Sequence, residues 1–182
     1  MQHLELKKEG LSILVLKYTV ITSRDTIIQP YSGRTVRQIL YKIAEKEGIE
    51  KVIQDLEQKT PYKNYSITPL FINNKPLYKK HGTKTSLVLR AGIPYWFRYA
   101  VILTDTAYLD LLLNPQTEIQ LYENTPTIIR LIQVNYYTED SLQLNLRQGT
   151  TIKMNFITPT QLQYPKINKK SKQQIYAQYP EP

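Results

Sequence analysis

LSILVLKYTVIT (Leu11–Thr22) followed by SGRTVRQILYKIAEKEG (Ser32–Gly48) decides the fold. The first stretch is β-branched and apolar, which predicts a strand. In the second, Val36, Ile39, Leu40, Ile43 and Ala44 recur at i, i+3, i+4, i+7 and i+8, the one-sided stripe of a surface helix. Ser32 stands where an N-cap belongs, and Gly48 can stop the helix. Ile49, Val52, Ile53 and Leu56 make a second, shorter stripe that Pro61 ends.

From Tyr65 onward the pattern turns strand-like. Tyr65–Ile72, Ser86–Arg90 and Tyr95–Leu103 are separated by turn signals at Asn73-Asn74, Gly82 and Gly92. Thr104 or Thr106 is placed to cap a short helix through Tyr108–Leu113, which Asn114-Pro115 ends. Strands return at Glu118–Leu121 and Thr127–Tyr137. In order this reads β-α-(α)-β-β-α-β, an α+β, ferredoxin-like arrangement whose antiparallel sheet carries helices on one face. That domain is expected over residues 1–138. After Glu139-Asp140 the pattern starts over, with strands expected at Leu142–Leu146 and Thr151–Phe156 and a basic run at Lys166–Lys172. Residues 139–182 are too few for a core of their own. They read as a pairing strand and basic tail, or as the start of an incomplete second domain.

Composition narrows the function classes. There are 24 Lys and Arg against 15 Asp and Glu, a net charge of +9. That sign suits a polyanion, because each phosphate met by a cation releases condensed counterions; it also suits a merely soluble basic protein. Fifteen Tyr against three Phe and one Trp suit half-wet sites where rings stack or hydrogen-bond, and equally suit strands. Without cysteine, disulfides, thiolate metal sites and Cys nucleophiles are excluded. The start, MQHLELKKEG, carries no apolar signal region, and no apolar stretch approaches a membrane span. A cytoplasmic protein with no membrane partner is expected. His3 and His81 are too far apart in sequence to suggest a metal site, and no cofactor is expected. The Ile, Lys and Tyr content fits a thermophile.

Charge falls in blocks. Between Lys59 and Thr104 no acid occurs, while Lys63, Lys75, Lys79, Lys80, Lys84, Arg90 and Arg98 all do. An acidic block follows to Asp140, then an acid-free stretch to Pro180. Such blocks predict a basic face. Tyr62, Tyr65, Tyr78, Tyr95 and Trp96 lie among the charges as candidate stacking groups, although strand core is the favoured reading of Trp96. The loop Lys79–Lys84 suits a phosphate grip. On the first helix, Arg37 falls at about 100°, Tyr41 at about 140° and Arg34 at about 160° from Val36. They form one polar stripe beside the buried face, which reads either as solvated surface or as a site. Metal-free RNA cleavage uses the RNA's own 2′-hydroxyl and needs cations for the extra phosphate charge. An Arg such as Arg37 supplies one directly. A Tyr such as Tyr41 has an ordinary pKa near 10, so it orients or donates rather than abstracts a proton.

Tyr31–Leu40 (YSGRTVRQIL), Ser66–Phe71 (SITPLF), Ala91–Arg98 (AGIPYWFR) and Phe156–Leu162 (FITPTQL) together resemble the CRISPR repeat endoribonucleases of the RAMP superfamily. The resemblance implies two tandem ferredoxin-like domains that bind the CRISPR repeat in precursor RNA. It also implies cleavage without metal, leaving a 5′-hydroxyl and a cyclic phosphate. Tyr41 falls where some members place a catalytic Tyr, Arg37 where certain archaeal members place a catalytic Lys, and Lys63 at the family's catalytic Lys position. Arg34, Lys79, Lys80, Lys84, Arg90 and Arg98 are the expected RNA-binding residues. Many members carry a His near the second helix; here the region reads Leu56-Glu57-Gln58, which points to the His-less archaeal variety. The family's glycine-rich loop is missing, so the chain reads as roughly the N-terminal two thirds: a truncated form, a split gene product or a degenerate member. Two further readings stand beside the nuclease: a RAMP subunit of a CRISPR effector complex that holds RNA without cutting it, and a structural dimer of ferredoxin-like domains without RNA. A homodimer is compatible with each.

Overall fold

The computed structural model describes residues 12–58, 63–79 and 85–138. In chain order the elements are β1 (Ser12–Thr22), β2 (Thr26–Ile28), α1 (Gly33–Glu47), α2 (Glu50–Glu57), β3 (Tyr65–Ile67), β4 (Phe71–Ile72), β5 (Lys75–Pro76), β6 (Leu87–Leu89), β7 (Tyr95–Ile102), a 3-10 helix (Thr106–Leu112), β8 (Gln116–Leu121) and β9 (Thr125–Thr138). The main sheet runs β5-β4-β7-β1-β9-β8, with β3 also on β7, and its pairings are antiparallel. The path from β1 through α1 and α2 to β3 skips the place that β7 fills, which is the ferredoxin-like crossover. The fold is therefore α+β and ferredoxin-like, as the sequence predicts, with β8 added at one edge as a hairpin to β9.

Period-two alternation sorts the sheet into two faces. Leu14, Leu16, Tyr18 and Val20 of β1 are buried, while Ile13, Val15, Lys17, Thr19 and Ile21 between them are only half-buried. Phe97, Tyr99 and Val101 of β7 join the buried set. Against it lie Val36, Ile39, Leu40, Ile43 and Ala44 of α1, with Ile49, Val52 and Leu56 from α2 and Tyr108 and Leu111 from the 3-10 helix. The helical stripes are thus the ones the spacing predicts. Gly48 closes α1 at φ +70, and its N–H reaches the carbonyls of Ala44 and Glu45; only glycine takes that left-handed position without strain.

Several expectations need correction. Ser32 sits at the N-cap position, but its hydroxyl makes no cap bond. It donates to the Leu77 carbonyl and accepts the Leu70 N–H, tying α1 to the β4–β5 hairpin. The single strand expected over Tyr65–Ile72 breaks at Thr68-Pro69, since proline has no N–H for the ladder. The Thr68 hydroxyl takes up the Arg98 N–H at 2.9 Å instead. Asn73 and Asn74, at φ 47 and 62, then form the tight β4–β5 turn that this dipeptide favours. Ser86–Arg90 leaves the main sheet: β6 pairs with β2 in a separate two-stranded sheet. Asp105, not a threonine, caps the helix near Tyr108, accepting the Ala107 N–H at 2.9 Å, and that helix is 3-10. Trp96 is not in the core: Tyr95 is buried, and Trp96 is half-buried on the other sheet face. α2 ends at Glu57, before Pro61. The features expected at 139–182, including the second-domain boundary, lie outside the described residues.

A bulge interrupts the β1–β9 ladder: Lys17 pairs with Gln133 and Tyr18 with Leu131, so Ile132 is the extra residue and the strand bends there. Leu16, wholly buried, and Thr19, on the opposite face, give the alternation a direct check. Leu16→Ala is expected to lower unfolding free energy by about 2–5 kcal/mol in urea, and Thr19→Ala by under about 1 kcal/mol. Equal losses would contradict the assignment of faces.

Candidate nucleic-acid interface

The C-terminal end of α2 crosses α1 beside the polar stripe. There the Arg37 guanidinium donates to the Leu56 carbonyl, a cation at a helix C-terminus where orphan carbonyls favour it. One turn on, Tyr41 lies beside Glu57. The negative charge of Glu57, then partial burial and Glu45, raise its pKa above the ordinary phenol value. Tyr41 is therefore a donor across the neutral range. Arg37 also lies close enough to Tyr65 on β3 for its charge to offset, in part, the burial that raises that phenol's pKa.

Lys63 is exposed, and its placement follows from the residue after it. Asn64 donates from Nδ2 to Asp55 Oδ2 at 3.1 Å and to the Tyr108 hydroxyl at 2.8 Å. Its carbonyl accepts the Ile102 N–H at 2.8 Å. Asp55 is 3% exposed, takes the Tyr108 hydroxyl as a second donor and pairs with Lys51 at 3.1 Å. This buried polar knot fastens α2, the 3-10 helix and the start of β3 together. It fixes the backbone at Asn64, next to Lys63, and with it the start of β3, whose Tyr65 lies close enough to Arg37 to feel its charge. Sequence reasoning passed over Asp55 and Glu57. The only trace of the first was the i, i+4 spacing of Lys51 and Asp55.

The other expected residues are spread out. Arg34 is exposed at the first turn of α1 and donates to Gln29 Oε1 at 3.0 Å. Near that loop, the Lys79 N–H bonds the Pro30 carbonyl at 2.9 Å, and Lys79 Nζ reaches Thr85 Oγ1 at 2.7 Å. Tyr31 and Tyr78 bridge beside them and remain partly exposed. Gly33 makes room for this arrangement, since a Cβ there would stand 2.5 Å from the Tyr31 ring. Arg34 and Lys79 thus share one end of α1. Arg90 instead pairs with Asp25 at 2.6 Å; the Ala91 N–H and the Arg90 guanidinium hold that carboxyl below its ordinary range. Arg98 lies on the far face of the sheet, opposite Lys17. Lys80 and Lys84 lie outside the described residues, as does Tyr62. The acid-free block of sequence is not one surface.

The domain is a ferredoxin-like α+β fold whose first helix exposes Arg34 and Arg37 on its polar side. Residues 14–137 match the family described as the Cas6 N-terminal domain, a span from β1 into β9, and the chain belongs to that family. At family level this ties it to CRISPR-associated RNA binding and processing, with CRISPR repeat RNA as the partner. No curated protein matches the chain. Among the described residues, no helix is long and apolar enough to cross a membrane.

Asp55→Ala leaves Asn64, Tyr108 and Lys51 without their shared acceptor and is expected to cost about 1–3 kcal/mol in urea unfolding. Asp25→Ala at the exposed pair is expected to cost less; the reverse order would contradict the buried knot. For Tyr41, a spectrophotometric titration of the wild type minus Tyr41→Phe is expected to show the missing phenol ionising above the ordinary value near 10. A midpoint at or below it would contradict the Glu57 contact.

Proposed function

We propose that the intact protein cuts CRISPR repeat RNA without a metal ion, the 2′-oxygen attacking the adjacent phosphorus while the bond to the 5′-oxygen breaks. The products are a cyclic phosphate and a 5′-hydroxyl. The observation that supports this reading is that Arg37 and Tyr41 converge on the C-terminal end of α2, with Arg37 also close enough to act on Tyr65 of β3, two residues after Lys63. Lys63 and Arg37 offset the charge that builds on the phosphate, the largest single contribution in reactions of this kind. Tyr41, kept protonated beside Glu57, orients the phosphate or gives a proton to the leaving 5′-oxygen. The Glu57 carboxylate is a proton acceptor at the same place. Arg34 and Lys79 extend the cationic path along α1, with Lys80 and Lys84 as further backbone contacts, while Arg90, paired with Asp25, and Arg98, on the far sheet face, stand apart from it. A cytoplasmic location accompanies this reading, with residues 139–182 as the start of a second domain.

A second reading, an RNA-holding subunit of a CRISPR effector complex that does not cut, is favoured by one observation. Arg37 and Tyr41 are each already engaged with α2, at Leu56 and Glu57. A gel assay separates the two, since repeat RNA that shifts but never fragments supports holding alone. For the nuclease, Lys63→Ala is expected to slow single-turnover cleavage in EDTA by at least about tenfold while binding changes little. Equal rates for the two proteins would overturn the role of Lys63.

A further inference from the structure

Strand β9 has a long outer edge that β8 covers only in part. β8 pairs with Thr125–Arg130, and the next bond on that side runs from the Leu131 N–H to the Pro115 carbonyl at 2.7 Å. Beyond it, among the described residues, Gln133–Tyr137 have β1 on one edge and no strand on the other. A bare edge of this kind is an open template for another strand. Apolar side chains beside it are also uncovered. Val134 is the cross-strand partner of Leu16 and so shares the helix-side face, yet it is 45% exposed where Leu16 is wholly buried. Leu113, two residues before Pro115, is 73% exposed. Tyr136 turns its hydroxyl across to Ser12 Oγ at 3.0 Å, away from the bare edge.

Directly after β9 the sequence carries a strand pattern of matching length, outside the described residues. In Ser141–Arg147 (SLQLNLR), Leu142, Leu144 and Leu146 alternate with Gln143 and Asn145, the pattern of a strand with one buried face. Asp140 and Ser141 are turn formers, and Glu139-Asp140-Ser141 makes a three-residue loop, a common hairpin connection. With that loop Tyr136 stands opposite Leu144 and Val134 opposite Leu146, so the leucines meet the uncovered helix-side face. A two-residue loop would set Leu144 opposite Asn135 and turn every leucine to the other face. Gln148-Gly149 follows where the chain must leave the edge, because Pro115 already occupies it at Leu131. Thr151–Phe156 is a strand pattern too, but closing its longer loop costs more chain entropy.

We propose that the outer edge of β9 is the docking site of the chain's own Leu142–Leu146, which return as an antiparallel strand beside Gln133–Tyr137 and pack their leucines on Val134 and Tyr136. The added strand lies end to end with β8, and a second domain starts past Gly149 rather than at Glu139. This docking follows from the sheet pairing alone and stands whether or not the protein cuts RNA.

The chain has no cysteine, so introduced pairs report the register without background. In the full chain, Val134→Cys/Leu146→Cys and Asn135→Cys/Asn145→Cys each place two thiols directly opposite, and the second pair removes no leucine. Asn135→Cys/Leu144→Cys places them opposite only in the slipped pairing. Each variant is oxidised with glutathione disulfide at micromolar protein, and closure is followed by intact mass and non-reducing gel. At least one of the first two pairs is expected to close within the chain at least about tenfold faster than the slipped pair, whose Cβ atoms point to opposite faces.

Closure of the slipped pair as fast as the others would overturn the docking, as would closure of neither directly opposite pair. Closure only between chains, as disulfide-linked dimers, would assign the edge to a second copy and overturn it as well.

Discussion

Strand β1 is hydrogen-bonded along nearly its whole length on both edges, to β7 and to β9, and the rest of the molecule is arranged around that double pairing. A strand held on both sides cannot rotate, so neighbours such as Leu16 and Lys17 are committed to opposite faces. One commitment builds the core beneath α1. The other brings Lys17 against Arg98, a contact that a one-residue slip would abolish while turning Leu16 to the outside. The bulge at Ile132 shifts the β9 register by one residue at this point, and pairing with β1 continues on both sides of it.

The second constraint is the buried carboxylate of Asp55. A charge that far from water persists only where donors surround it, and here they come from α2, from Asn64 before β3 and from Tyr108 on the 3-10 helix. Together they join the helical layer to the sheet next to Lys63. Arg37 and Tyr41, reaching α2 from the other side, complete a tight corner between α1, α2 and β3. The basic character of the chain is therefore expressed in separate places: this corner, the Arg34 and Lys79 end of α1, and the far face of the sheet.

The ferredoxin-like order was legible because long periodic stretches carry it. The α1 stripe at Val36, Ile39, Leu40, Ile43 and Ala44 and the alternation in β1 and β7 depend on nothing outside themselves. Short pieces were less legible, since their partners are distant. Leu87 and Leu89 announce a strand, yet nothing local says that its partner is Thr26–Ile28. Ser32 reads as a cap until Leu70 and Leu77 arrive to take its hydroxyl. Arg37, Tyr41 and Lys63 could be singled out from spacing and resemblance, but Asp55 and Glu57 could not, because a carboxylate in a polar helical face looks like solvated surface. Trp96 was misread as core because apolarity alone does not tell which sheet face a strand residue takes.

The proposed chemistry stands or falls on contact between RNA and the α1–α2–β3 corner. Photo-crosslinking of the full chain to repeat RNA carrying thiouridine, with the adducts mapped by mass spectrometry, tests this directly. Adducts are expected in peptides around Lys63–Tyr65; adducts confined to the β8–β9 hairpin, or none around Lys63–Tyr65, would contradict it.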